Sequence, residues 1–414
     1  MRSTHDTRRT VGVTRTGIGP LAALAALAIS ATVARADEPL SADSILDPPT
    51  GQHTGPRLES LRVRYTHYEQ DGHGYQSQAD PMRNGAGSER LTIEQPQIEA
   101  VIRVRPNLTT RLWLPLDVVT SASADAIDRY RPLDAMSSAS RVTESGNVDS
   151  TTTYQAAPTL SAQLRAGFHI EENFRSWNFG VGVQKSFAED NTVVSGSFNQ
   201  VVDWLDAYNI VGDRISHYWR SSTNANLGLT QLLSPTTVAS VNYGLTVQDR
   251  HLGTTWPSVP LDDGKRGPES FPELRQRHAF VGRLVQKLPW SGASIKGSYR
   301  FYLDDWGLTA HSADLFLYQR ITSWLYVRGY YRFHQQSGVR FFTTRSSPAS
   351  AELRTADSDL APFFAHTIGA KAVFEVRLRN RIVRAIQLDL GYERYMRTND
   401  LTMDSYSCGT GFRF

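Results

Sequence analysis

The chain has one cysteine, Cys408, in 414 residues, so no internal disulfide can staple it. Cys408 also lies too far from the amino terminus to become a lipid-anchored first residue after export. Beyond an apolar run near the amino terminus, no stretch approaches the roughly 18 apolar residues of a spanning helix, and mean hydropathy is −0.38. That excludes helices as the route across a membrane but leaves strands untouched, because a barrel strand exposes only half its side chains to lipid. No Cys-x-x-Cys-His is present to attach haem, and His278, His311 and His334 lack the spacing of a metal site within one strand. No cofactor is therefore expected. Asp262-Asp263-Gly264 has the start of a calcium loop without the remaining ligands, and reads as a turn.

An excess of positive charge is also missing once the leader is set aside. The formal net charge is +3, but Arg2, Arg8, Arg9, Arg15 and Arg35 stand against only Asp6 in the first 36 residues. Their removal leaves about −1, and nothing then favours nucleic acid as a partner.

What is present begins with that leader. A basic head precedes the apolar run LAALAALAISATV of residues 21–33, and Ala34-Arg35-Ala36 follows. This is the pattern of a secretory signal, with cleavage predicted after Ala36. Residues 37–56 are rich in Pro, Ser, Gly and Asp without periodicity, and are expected to form a periplasmic arm. Residues 57–414 carry the rest of the pattern.

Within that region apolar and polar residues alternate with period two. Ile295, Gly297, Tyr299, Phe301 and Leu303 oppose Lys296, Ser298, Arg300, Tyr302 and Asp304. Leu325, Val327, Gly329, Tyr331 and Phe333 oppose Tyr326, Arg328, Tyr330, Arg332 and His334. Between these runs, Ala313, Leu315 and Leu317 oppose Asp314, Tyr318 and Arg320. Three consecutive strands with an apolar face and a charged face, joined by short turns, describe a transmembrane antiparallel β-barrel. Similar runs recur along the chain. Short turns fall at Pro106, Asn191, Pro235, Pro289, Ile321 and Asn380, and long polar segments fall between, apart from a short outer connection at Asp305-Trp306-Gly307. The count is about sixteen strands, or fourteen without the weakly patterned residues 150–157 and 159–170. An even count returns the carboxyl terminus to the periplasm, with long loops outside and short turns inside. Phe412 and the terminal Phe414 are the candidate signal for the outer-membrane assembly machinery.

The candidate lumen-lining residues are Lys296, Arg300, Asp304, Asp314, Arg320, Arg328, Arg332 and His334. Two interpretations are open: an anion-attracting wall, since a low-dielectric channel concentrates the field, or a ladder of ion pairs and tyrosine hydrogen bonds that fixes strand register. Lys371, Glu375, Asp389 and Glu393 on later strands bring the lumen nearer to neutrality. His311, Asp304, Asp305 and Ser312 gather around one outer hairpin, as a rim hydrolase would require, but no Gly-x-Ser-x-Gly accompanies them. The chain is therefore expected not to be an enzyme.

Several stretches resemble a bacterial family of outer-membrane barrels without assigned function, catalogued as domain of unknown function 3570. They are Asp134-Ala135-Met136-Ser137-Ser138-Ala139-Ser140, Glu189-Asp190-Asn191-Thr192, Arg277-His278-Ala279-Phe280-Val281 and Tyr299-Arg300-Phe301-Tyr302-Leu303-Asp304-Asp305-Trp306. Tyr331-Arg332-Phe333 with Gln335, then Phe341-Phe342, continue the likeness, and Ser138 stands where relatives often have glycine. The resemblance implies a Gram-negative outer-membrane barrel and carries over no reaction, ligand or catalytic residue. It also implies neighbours that include a small lipoprotein, a thioredoxin-like protein and a flavin transferase, which is an association and not a mechanism. The expected function is a porin-like pore, transport or export conduit working with a lipoprotein or periplasmic redox partner. The alternatives are a structural sleeve for a redox or export complex and, behind it, the rim hydrolase.

Overall fold

The computed structural model describes residues 55–72, 90–120, 143–171, 173–208, 214–253, 258–347, 352–379 and 382–414. The expected signal sequence, the expected arm up to residue 54 and the Asn380 turn lie outside the described residues, as do residues 73–89 and 121–142.

Sixteen antiparallel strands close into one barrel. In chain order they begin with β1 (Arg57–Gly72), β2 (Leu91–Arg105), β3 (Leu108–Thr120), β4 (Thr143–Ala157) and β5 (Leu160–Glu171). Next come β6 (Phe174–Phe187), β7 (Thr192–Tyr208), β8 (Arg214–Ser234) and β9 (Thr237–Arg250). A small ribbon, β10 (Ser258–Pro260) paired with β11 (Arg266–Pro268), interrupts the series in an outer loop. The barrel resumes with β12 (Leu274–Leu288), β13 (Ala293–Asp304), β14 (Thr309–Arg320), β15 (Leu325–Ser337), β16 (Pro362–Arg377), β17 (Ala385–Arg397) and β18 (Leu401–Arg413). β1 pairs with β18 from Ser60↔Arg413 to Gly72↔Leu401, which closes the ring and removes both sheet edges.

The period-two pattern decides which face meets lipid. Leu164, Phe179, Val181, Leu227, Val241, Leu315, Leu317, Ile368 and Leu390 are large, apolar and exposed. Their alternates include the buried Asp203, Arg275, Asp304, Lys371 and Asp389. An apolar exterior around a charged interior is the inverse of a soluble protein, and it makes this chain an outer-membrane barrel in contact with lipid. Three aromatic–histidine pairs repeat on the outward face of successive up–down hairpins. Tyr243 Oη lies 2.9 Å from His278 Nδ1, Tyr299 Oη 2.6 Å from His311 Nδ1, and Tyr331 Oη 2.9 Å from His366 Nδ1. Polar-tipped rings of this kind suit the headgroup level, where one end is apolar and the other wet.

The sequence pattern and the fold differ in detail at two places. The weakly patterned stretch read as residues 150–157 is part of a longer strand, β4, which begins at Thr143. β4 reads TESGNVDSTTTYQAA, so Ser and Thr sit on both faces and only Val148 and Tyr154 are large outward groups. Asp305-Trp306-Gly307 is not the lone short outer connection, because β5–β6 and β17–β18 are joined as tightly.

On the outer side, two long connections fold together. Leu261 bridges Ser346, Ser270 bridges Arg354 and Phe342 bridges Thr355. Beneath them Trp306, Leu308, Ala310 and Val339 form a buried cluster with Leu252, Phe271, Phe341 and Leu360 packed on it. Trp306 anchors the cluster by donating Nε1–H to Leu274 O at 2.9 Å. Glu269 accepts from Thr355 Oγ1 at 2.6 Å and from the Ala356 amide at 3.0 Å. The result is a packed cap over one side of the barrel mouth.

Candidate functional site

The inner face of β12–β17 carries most of the interior charge. On β13 the pairing puts Arg300 opposite Ser312 of β14, and Ser312 opposite His334 of β15. Lys296, Asp304, Asp314, Arg328 and Arg332 share that inner face. Arg320 is the last residue of β14 at the short-turn end, exposed, with its amide on Gly292 O.

Two carboxylates organise the upper wall. Asp304 accepts from Arg275 Nε at 2.9 Å, from Tyr302 Oη at 2.9 Å and, through its other oxygen, from the Leu308 amide at 2.9 Å. Arg275 lies over the Trp306 ring at 4.2 Å, so the ion pair is sealed on its outer side by indole. Asp314 accepts from Ser298 Oγ at 2.9 Å, Tyr330 Oη at 3.2 Å and Arg332 Nε at 2.5 Å. On the short-turn side of Asp314, Phe316 points inward opposite Lys296 and stacks on Tyr330 with ring centroids 4.4 Å apart. Lys296 and Arg328 approach the Phe316 ring at 4.9 and 5.8 Å.

Further round the wall, ion pairs reach across a whole strand at two inward-facing glycines, Gly409 and Gly369. Arg64 of β1 reaches Asp389 of β17 at 3.1 Å across Gly409 of β18, and Lys371 meets the same carboxylate at 3.2 Å. A Cβ on Gly409 would lie 2.6 Å from Asp389 Oδ2. Arg328 reaches Glu393 at 3.3 Å across Gly369 in the same manner. These bridges are a ladder of the kind that fixes register.

The cap is tied to the inner rim by β15 and β17. Arg397 donates to Ser358 O at 2.7 Å and pairs with Asp359, while Gln336 Nε2 donates to Asp359 O at 2.8 Å and Ala361 O at 2.6 Å. With its amide nitrogen so committed, Gln336 turns Oε1 toward His334 Nε2 at 3.2 Å. That assigns the His334 proton to Nε2 and leaves Nδ1 to accept from Ser312 Oγ at 2.8 Å. In the cap, burial and the neighbouring Asp359 push the Asp357 carboxyl up to about 6. His251, stacked on Tyr218 at 3.9 Å, is held below its ordinary value by burial and then by Arg220.

The hairpin that gathered hydrolase-like residues is split by the wall. Ser312 and Asp304 face inward, while His311 faces outward against Tyr299 and Phe301. Asp305 accepts the Gln276 amide at the turn. Sequence reasoning missed Arg275, Arg277 and Arg397, because their strands were read by the outward apolar residues alone, and it passed over Phe316 because an aromatic ring on the polar face of β14 did not mark itself as a lining group. The inward parity of β12 was the available signal.

Two of the stretches that carry the family likeness, Arg277–Val281 and Tyr299–Trp306, meet side by side in this wall through the pairing of β12 with β13. A family model described as "Protein of unknown function (DUF3570)" matches residues 21–409. The chain belongs to this family. No curated protein matches it. Among solved structures, this DUF3570 member is similar to a BenF-like porin from Pseudomonas fluorescens Pf-5, at TM-score 0.44 and 8% identity over 88% of this chain and 99% of the porin. It is also similar to a bacterial polysaccharide outer membrane secretin, at TM-score 0.43 and 7% identity over 86% and 98% of the two chains. Pseudomonas aeruginosa OccK1 (OpdK) follows at TM-score 0.40 and 9% identity over 86% and 98%. Likeness at this level concerns barrels as a class, and nothing these proteins bind is transferred.

Proposed function

We propose that this DUF3570 barrel is a non-enzymatic conduit across the outer membrane, for transport or export, working with a lipoprotein or periplasmic partner. The observation that carries this reading is the wall of β12–β17. It buries charge inward at many positions, although an apolar core would cost less than desolvated ions. Interior ionisable groups in a membrane protein mark a polar path by default. The cap held to the inner rim by Arg397 and Gln336 would narrow its mouth and set what enters. Lys296, Arg300, Asp304, Asp314, Arg320, Arg328, Arg332 and His334 remain the proposed lining set. Export would begin with cleavage after Ala36, and Phe412 with Phe414 would be read by the assembly machinery.

The test is reconstitution of the folded barrel in planar bilayers. Steady, ohmic channels are expected. A folded barrel that never conducts would overturn the conduit, and a co-purified protein filling the lumen would turn the reading toward a sleeve.

A further inference from the structure

Among the described residues, the inner-wall cations of the upper barrel follow a rule with two exceptions. Arg220 pairs with Asp203, Arg275 with Asp304, Arg332 with Asp314, Arg328 with Glu393, and Arg397 with Asp359. Arg277 and Arg300 make no hydrogen bond or ion pair to any described residue. Asp304, opposite Arg277 in the register, and Asp314, two residues from the Ser312 that lies opposite Arg300, are both already engaged by other arginines. Arg277 Nε is moreover buried without a partner. A buried donor left unmatched in a native wall calls for an explanation, and a role in holding an anion supplies one.

The two arginines follow one another along the inner wall. Arg277 is paired with Asp304 and Val281 with Arg300, so the guanidiniums enter from adjacent strands on either side of Tyr302. The Tyr302 ring lies 6.0 Å from the Arg300 guanidinium, and its hydroxyl is committed to Asp304. His334, beyond Arg300, turns its acceptor nitrogen to Ser312 and its proton to Gln336. The neighbouring polar groups are thus satisfied among themselves, while the two guanidinium forks donate no hydrogen bond to a described residue. A planar fork of N–H donors matches a carboxylate or phosphate through paired hydrogen bonds, which a lysine cannot reproduce.

We propose that Arg277 and Arg300, flanking Tyr302 beneath the cap, form a binding station for a small organic oxyanion, a carboxylate or a phosphate, on its way through the barrel. The proposal rests on the conduit reading for its purpose but not for its chemistry. Attraction by fixed charge draws the anion in, and two forks in succession let it pass from one to the other, since a conducting site must hold its ion weakly enough to release it.

The experiment is calorimetric titration of the folded barrel in detergent with benzoate, phenyl phosphate and neutral benzyl alcohol at constant ionic strength. Binding of either anion, or both, with none of the alcohol, supports the station and identifies the oxyanion it prefers. Arg277→Gln and Arg300→Gln are each expected to weaken binding roughly tenfold, and the double variant to abolish it. Should the Gln variants fail to fold, as judged by heat-modifiable gel mobility, Arg277→Lys and Arg300→Lys keep the charge and remove the fork. They are expected to bind several-fold more weakly. Equal binding by wild type and the folded double variant, or by the alcohol, overturns the station, as does the absence of any binding. Conductance without anion binding removes the station and leaves the conduit, whereas binding without conductance does the reverse.

Discussion

Arg275 and Asp304 form an ion pair in which neither partner is appreciably exposed, with the guanidinium 4.2 Å from the Trp306 ring and the carboxylate also holding Tyr302 and the turn amide of Leu308. Removing one side of such a pair strands the other. Arg275→Met is therefore expected to destabilise the outer end of β12–β14 by about 3–5 kcal/mol. The temperature at which the folded band disappears on a semi-native gel measures this. An unchanged temperature would show the pair to be dispensable.

Asp357 gives the cap a pH dependence of defined sign. Its carboxyl stands at about 6 against an ordinary 3.8, so the folded cap binds this proton more tightly than an unfolded one. The stability it contributes is full below pH 4, declines as pH rises from 4 to 6, and is lost above that. Asp357→Asn keeps an acceptor for the Asp359 amide, 2.9 Å away, and removes the titration. Hydrogen exchange of residues 352–361 should quicken between pH 4 and 7 beyond its chemical rate in the wild type. The variant should show no such excess.

Gly409 and Gly297 make a matched pair of tests. An alanine at 409 would press on Asp389 and displace it from Arg64 and Lys371, whereas a Cβ at 297 meets nothing within 4 Å. Gly409→Ala is expected to cost about 1–3 kcal/mol and Gly297→Ala under about 0.5 kcal/mol. Urea unfolding into lipid vesicles would separate them.

Leu315 and Ser294 test which face meets lipid. Leu315→Arg is expected to cost about 2–4 kcal/mol, as charge on the lipid face near mid-bilayer does. Ser294→Arg, on the opposite face, should be tolerated with little loss of folded protein. The reverse order of effects would invert the barrel.

Arg300 and Arg332 should set ion preference. In a salt gradient across a planar bilayer, Arg300→Ala with Arg332→Ala is expected to move the reversal potential toward cation selectivity, because the variant leaves Asp314 without its counter-charge. An unmoved potential would assign both arginines to wall structure alone.

The strands of β13–β15 were legible because Ile295, Leu315, Val327 and their alternates differ sharply in polarity, and lipid on one side enforces that difference. β4 was blurred because Ser and Thr tolerate either face. The gathering of Ser312 with His334 was hidden, since it joins different strands through the register, and His311, the sequence neighbour, points the other way. The bridges across Gly369 and Gly409 were illegible for a similar reason. A glycine carries no mark of the face it occupies, and only the closed register shows which long side chains pass over it.

The seam between β1 and β18 joins the earliest strand of the barrel to the latest, with thirteen residue pairs in register. During delivery to the membrane, every incomplete chain must therefore carry two raw hydrogen-bonding margins, each able to capture a stray strand. Sealing can occur only as the last act of assembly, so whatever receives the chain must shield the first strand until the last one arrives.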